Sequence, residues 1–186
     1  MDKLILGLLV LSSRTIYELR SRIDKGLSMM YSSSTGSIQA ALRSLLLHGS
    51  IDYEEVVENG KKKKKYFITP KGRQVFEEWV NHPVEESGMK CPELAKIYFM
   101  GMSRAENRPD NIRKYIEELN KRYEALNLIC LEAEKMIQES FSKNTDQSVR
   151  DIVFFQTASA RFGRDILLFT KQWFEKLLNE MGISNE

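Results

Sequence analysis

The stretch Ile51 to Thr69, IDYEEVVENGKKKKKYFIT, decides how the rest of the chain is read. Ile51, Tyr53, Val56 and Val57 give it the β-branched and aromatic composition of a strand. Glu58-Asn59-Gly60 follows as a turn, and Asn-Gly between two β-rich runs is a strong hairpin signal. Five consecutive lysines, Lys61, Lys62, Lys63, Lys64 and Lys65, then lead into a returning strand read from Lys63 to Thr69. Like charges in a row repel, so such a strand is held by something other than its own propensity. Either the lysines form a solvated loop tip, or an anionic surface lies opposite them.

Three helical patterns precede the hairpin. The apolar run Leu4 to Leu11, LILGLLVL, reads as a buried core helix. It is shorter than the roughly 20 residues of a membrane span, and no small-residue cleavage site follows to make it a signal peptide. From Thr15 to Leu27, the residues Ile16, Leu19, Ile23 and Leu27 mark one face of a second helix. The cluster SSSTGS, Ser32 to Ser37, offers N-cap residues for a third, IQAALRSLLLHG. Its Ile38, Leu42, Leu45 and Leu46 face inward, leaving Gln39, Ala40, Arg43 and Leu47 outward, and Gly49 stands where a helix ends.

After the hairpin, Thr69-Pro70-Lys71-Gly72 opens a helix with Val75, Phe76, Trp79 and Val80 on its apolar side. Three helices followed by a hairpin is the element order of a winged helix-turn-helix. In that fold the lysines line the wing, and the anionic surface opposite them is a nucleic-acid backbone. Side chains alternate across a strand, so two or three of the five face one surface at once.

Composition agrees with a globular protein: 186 residues, 42% hydrophobic and 29% charged. The net charge is only +2, but residues 1–82 hold 13 Lys and Arg against 9 Asp and Glu, and residues 83–186 hold 15 against 17. The basic excess therefore lies in the N-terminal part. The two cysteines, Cys91 and Cys130, are isolated and form neither a zinc motif nor a disulfide framework, so a reducing cytoplasm is the expected compartment and no cofactor or metal is expected.

Residues 83–109, with Pro83, Gly88, Pro92, Gly101 and Pro109, read as a connector with one short helix from about Glu93 to Met100. The last third is helical. In Asp110–Phe141 the residues Ile112, Ile116, Leu119, Tyr123, Leu126, Cys130, Ala133 and Ile137 recur in steps of four and three, a heptad seam. The turn SKNTDQS, 142–148, precedes a final helix from Val149 to about Met181. One of its stripes runs Ile152, Phe155, Ala158, Phe162, Ile166, Phe169, Trp173 and Leu177; another runs Val149, Val153, Ala160, Leu167, Phe174, Leu178 and Met181. A helix in a two-helix hairpin needs only one apolar stripe. The second asks for a further partner, and a helix about 45 Å long at 1.5 Å per residue reaches past a small domain toward another subunit. The expected architecture is thus mostly α with a small β-hairpin: a winged helix-turn-helix over 1–82, the connector over 83–109, and long antiparallel helices of a dimerisation domain over 110–186.

The first 82 residues resemble the PadR family of winged-helix transcriptional regulators. The resemblance is carried by LILGLL, by TIYELRSRI at the place of that family's GYEL-type helix, by STGSIQAALRSLLLHGSID over the recognition helix, and by KKYFITPKGRQVFEEW over the wing strand and last helix. Gln39 and Ala40 stand where family members commonly have Tyr-Pro, and Ser12-Ser13-Arg14 where a tight turn with a small residue is common. The resemblance implies a homodimeric, ligand-responsive repressor that binds inverted-repeat operator DNA. A small aromatic or hydrophobic compound near the dimer interface would alter the spacing of its two reading heads.

Each candidate residue carries a functional reading beside a plain one. Ser33, Ser34, Thr35, Gly36 and Ser37 either cap a helix or also offer N–H groups and hydroxyls to phosphate. Gln39 and Arg43 are the base readers, through adenine and guanine in the major groove, and Ala40 lets the helix approach; the alternative is an exposed polar face. Arg14, Thr15 and Tyr17 fix the backbone register, or are ordinary surface. Lys61 to Lys65 grip phosphates, or are a solvated hairpin or a localisation-like patch. Ile152, Phe155, Phe162, Ile166, Phe169, Trp173 and Leu177 form the dimer face. Trp79, Tyr123, Phe162, Phe169 and Trp173 either line an effector cavity or are plain core.

Catalysis finds no support in these residues. The two histidines, His48 and His82, sit in no HExxH or nucleophile–base arrangement, and SSSTGS lacks the lysine of a phosphate-cradling GxxxxGK[ST] loop. The remaining rival is a non-catalytic interaction module whose basic hairpin touches an acidic protein or a membrane surface. Strong preference for one palindromic duplex separates the two.

Overall fold

Thr69 is the residue on which the N-terminal half closes. In the computed structural model, which describes residues 1–26, 34–58, 60–84, 93–142 and 146–182, the chain divides into two units, Met1–Ser87 and Gly88–Glu186. The first contains helix α1 (Asp2–Leu11), a two-residue strand β1 (Arg14–Thr15), α2 (Ile16–Gly26), α3 (Thr35–Leu47), the hairpin strands β2 (Ile51–Glu58) and β3 (Lys61–Ile68), and α4 (Pro70–Val80). The strands form one antiparallel sheet in the order β1-β3-β2.

One core gathers these elements. Ile5, Leu6, Leu8 and Leu9 of α1 meet Leu19 and Ile23 of α2, and Ile38, Ala41, Leu42 and Leu45 of α3, with Ile51 closing from β2. Tyr66, Ile68, Val75 and Phe76 pack against it, whereas Trp79 and Val80, expected on the same apolar side, are exposed at the end of α4.

Two features depart from the expected pattern. Arg14 and Thr15, read as the start of a helix, are extended and pair with Tyr66 and Lys65 of β3. The helix begins only after them because Thr15 and Glu18 form a reciprocal cap. The Glu18 carboxylate accepts from Thr15 N at 2.7 Å and from its hydroxyl at 2.8 Å, and the Thr15 hydroxyl accepts from Glu18 N at 3.3 Å. The second departure is that β3 starts at Lys61 rather than Lys63. Glu54 and Glu55 of β2 lie opposite Lys65 and Lys64, and those carboxylates offset like-charge repulsion.

Around Thr69 three chain segments clasp. Gly49 adopts φ +66° just past the end of α3, and Ser50 N donates to Leu45 O at 2.9 Å. Thr69 N donates to Ser50 O at 3.2 Å, and the Thr69 hydroxyl donates to Gly49 O at 2.7 Å. The same hydroxyl accepts from Gly72 N at 3.1 Å as the N-cap of α4, with Pro70 in the first turn. Gly72 is the tightest point, since a Cβ there would lie 1.8 Å from Ser50 O.

The second unit holds α5 (Glu93–Phe99), two 3₁₀ turns (Met100–Met102 and Ala105–Asn107), α6 (Arg108–Ser142) and α7 (Gln147–Glu180). Asp146 caps α7 by accepting from Ser148 N at 3.2 Å. The two long helices run antiparallel. Tyr115, near the start of α6, meets Phe174, near the end of α7, edge-to-face at 4.8 Å, and further along Lys171 Nζ donates to Asn120 Oδ1 at 2.7 Å. The expected α6 seam faces this packing: Ile112, Leu119 and Cys130 are buried, and Ile116, Tyr123, Leu126, Ala133 and Ile137 half-buried. Among the described residues no helix is long and apolar enough to cross a membrane.

The clasp makes a direct prediction. Gly72→Ala forces backbone apart and lowers unfolding stability by about 1–3 kcal/mol or more. Gly36→Ala, where an added Cβ meets nothing within 4 Å, leaves stability unchanged or higher. Equal losses in denaturant melts would contradict the clasp.

Candidate nucleic-acid interface

Helix α3 turns its apolar residues inward and leaves a coherent outer face. Thr35, Gly36, Gln39, Ala40, Arg43 and Leu47 are all exposed, Leu47 at 84%. They recur at three and four residues, so they form one stripe along the helix. Gln39 and Arg43 are the long polar side chains of this stripe, with the short Ala40 between them.

At the helix start, Ser34 is the cap. Its hydroxyl oxygen accepts from Ser37 N at 3.2 Å and lies 2.7 Å from Ser37 Oγ, while Ser37 Oγ donates to Ser34 O at 2.9 Å. Capping therefore engages the hydroxyls of Ser34 and Ser37, and what this end offers an anion is the helix N-terminus itself. Ser33 lies outside the described residues, as does the Lys61 side chain.

Arg20 was not singled out by the sequence reading. From α2 its guanidinium donates to the Thr35 hydroxyl at 3.3 Å, placing a cation beside the α3 N-terminus. Its signal was the three-residue step from Tyr17, which is 76% exposed on α2. Thr15, by contrast, is 4% exposed with its hydroxyl taken by Glu18, so it holds the register of α2 instead of presenting itself to a ligand. Arg14, half-buried, sits opposite Tyr66 on β3.

The wing is less cationic than its lysines alone. Register pairs Glu55 with Lys64 and Glu54 with Lys65. Lys62 Nζ lies 4.0 Å from Glu55 Oε2, and the Lys64 ammonium lies 4.0 Å over the Tyr53 ring. Strand alternation puts Lys62 and Lys64 on one face and Lys63 and Lys65 on the other.

The second unit presents two further features. Thr157, Gly163, Leu167, Phe174 and Leu178 are the buried residues of α7, and Leu167, Phe174 and Leu178 share a core with Ile112 and Leu119 of α6. The other stripe stays out: Phe155, Phe162 and Phe169 are 69%, 68% and 62% exposed, with Ile152 at 44% and Trp173 at 39%. Ile166 and Leu177 are half-buried. A cavity of about 620 Å³ opens between α5, the start of α6 and the end of α7, lined chiefly by Lys96, Ile97, Met100, Ile112, Tyr115 and Phe174. None of Trp79, Tyr123, Phe162, Phe169 and Trp173, the residues expected to line an effector site, lines this cavity. Trp79 packs on Phe76 in the first unit, and Tyr123 belongs to the α6–α7 core.

A capped reading helix beside a two-stranded wing defines a winged helix-turn-helix of the DNA-binding kind. Residues 5–78 match the model of the transcriptional regulator PadR-like family, a family of regulators and not of enzymes. Solved structures share the fold over nearly the whole chain. The crystal structure of smu.1604c from Streptococcus mutans UA159 superposes with a TM-score of 0.72 at 23% identity, covering 96% of this chain and 98% of that one. Bacillus subtilis PadR in complex with operator DNA gives 0.73 at 19% identity, covering 96% of each chain. The same Bacillus protein in complex with p-coumaric acid gives 0.53 at 16%, covering 93% of this chain and 97% of that one. No curated protein matches the chain.

The Thr15–Glu18 cap carries a pH dependence. Hydrogen bonds from Thr15, backbone first, hold the Glu18 carboxyl below its ordinary range, with Lys65 and Arg14 adding to the effect. A carboxylate lowered on folding stabilises the protein above its unfolded value, and that contribution is lost as pH falls through the lowered folded value. Glu18→Ala therefore lowers stability by about 0.5–2 kcal/mol at pH 7, and melts at successively lower pH show the difference from the unsubstituted protein shrinking.

Proposed function

We propose that the protein is a sequence-specific DNA-binding regulator acting as a homodimeric repressor, which binds an inverted-repeat operator and is released by a small hydrophobic or aromatic effector. The observation that carries this reading is the exposed α3 stripe of Gln39, Ala40, Arg43 and Leu47 beside a wing whose central strand bears five lysines. Gln39 and Arg43 read base edges in the major groove, and Ala40 touches a thymine methyl or simply admits the helix. The α3 N-terminus at Ser34 to Ser37, with Arg20 beside it, takes a backbone phosphate, as do Tyr17, Arg14 and the wing lysines.

Homodimerisation is supported by the exposed Phe155, Phe162, Phe169 and Trp173 stripe of α7, an apolar face too continuous to leave in water. A two-fold axis then repeats the reading head, and half-sites lie one helical turn of roughly 34 Å apart, or a multiple of it. The effector reading draws on the Bacillus relative's complex with p-coumaric acid and on the α5–α6–α7 cavity, whose size falls within the roughly 300–1,000 Å³ of small-molecule sites. Apolar side chains form most of its wall, and Lys96 supplies a cation.

Enrichment of duplexes from a random pool tests the function. The purified protein selects one palindromic sequence, and Arg43→Ala weakens binding to it by about 1–3 kcal/mol while relaxing the choice at one base pair in each half-site. Binding that stays salt-sensitive but sequence-blind would favour the interaction-module reading instead.

A further inference from the structure

Five adjacent lysines on an exposed hairpin should make the wing attract any polyanion, yet the fold places a counter-charge beside them. The sequence of residues 51–68 holds five lysines and four acids, so the hairpin as a whole carries only +1, with Glu54 and Glu55 set directly opposite lysines. The pairing is built into the register. Glu55 lies opposite Lys64 and within 4.0 Å of Lys62, and Glu54 lies opposite Lys65 on the other face. Directly opposed side chains in an antiparallel pair have Cβ atoms only about 5 Å apart. Both faces of the wing therefore hold acid and base side by side, with the edge strand β2 acidic and the central strand β3 basic.

Distance decides what such an arrangement does. Beyond the Debye length, about 8 Å at physiological salt, opposite charges this close cancel and the wing exerts little pull. In contact, a phosphate seated over β3 meets lysines first, with the β2 carboxylates one strand spacing, about 5 Å, to the side. Lys62 is 80% exposed at its side chain against 61% for Glu55, so the ammonium is the more accessible member of that pair. Attraction is then short-ranged and depends on orientation, which a sequence-blind encounter does not satisfy.

We propose that the β2 carboxylates, Glu54 and Glu55 foremost, are specificity determinants: they suppress the wing's grip on random DNA while leaving its grip on a docked operator. This rests on the DNA-binding reading above and names residues that themselves touch no base. The lysines bind; the glutamates decide when. The same pairing explains how a run of five lysines is stable as a strand in the free protein.

The test compares the full chain with Glu54→Gln/Glu55→Gln, which keeps side-chain shape. The probes are the duplex that the unsubstituted protein enriches from a random pool and a shuffled duplex of equal composition. Glu117→Gln/Glu118→Gln, on the exposed side of α6 in the second unit, adds the same net charge outside the hairpin and serves as control, and circular dichroism melts of all three confirm folding. The wing variant is expected to bind the shuffled duplex severalfold more tightly, with the log–log salt slope steepening by up to about 0.9 per carboxylate removed. Its operator-to-shuffled ratio falls, while the α6 control leaves that ratio unchanged. An unchanged ratio in the wing variant, or an equal fall in the control, overturns the inference. Failure of the unsubstituted protein to enrich any duplex overturns instead the reading on which it rests.

Discussion

The contact between Gly72 and Ser50 is where the N-terminal unit is fixed in shape. Helix α3 ends at His48, Gly49 reverses the chain, and Ser50 is pinned by Leu45 O on one side and Thr69 N on the other. With no side chain at Gly72, the first turn of α4 closes directly onto the Ser50 carbonyl. The exit of the reading helix, the return of the wing and the start of α4 are thus tied within a few ångströms. β3 runs into this knot, and β1 joins β3 through Thr15 and Lys65. The end of α3 and the root of the wing are joined by backbone bonds and by the Thr69 hydroxyl.

Electrostatics then acts on that frame. The Thr15–Glu18 cap places a carboxylate near Lys65 and Arg14 at the root of the sheet, and the β2 glutamates run along the rest of the wing. Lys62, Lys64 and Lys65 therefore lie among the carboxylates of Glu18, Glu54 and Glu55. The +4 charge of residues 1–82 is less informative than its layout, in which the lysines of the central strand β3 lie beside the glutamates of the edge strand β2.

Much of this was legible from local pattern. The inward Ile38, Leu42 and Leu45 and outward Gln39, Ala40 and Arg43 follow from helical spacing alone, and so does the α6 seam from Ile112 to Ile137. The division of α7 into two stripes was equally readable, since Leu167, Phe174 and Leu178 pack on α6 while Phe155, Phe162 and Phe169 stay exposed. What escaped depends on partners distant in sequence. A two-residue strand at Arg14–Thr15 exists only because β3 passes beside it, although the Thr15-x-x-Glu18 spacing did mark where α2 begins. The pairing of glutamates with lysines needed the register of the hairpin, with Glu55 opposite Lys64 and Glu54 opposite Lys65. The cavity draws its walls from α5, α6 and α7, three elements with no shared periodicity, so an aromatic stripe was a poor guide to it.

The central claim is geometric: one exposed helix face and one wing, fixed together by the Ser50–Gly72 closure and repeated by a two-fold axis, fit a single duplex. Hydroxyl-radical footprinting of the protein on its enriched duplex measures this most directly. The account predicts two symmetric protected blocks whose centres are one helical turn, roughly 34 Å, or a multiple of it apart, each flanked by a shorter block where a wing lies on the backbone. A single unsymmetrical block, or protection lacking the wing flanks, would contradict it.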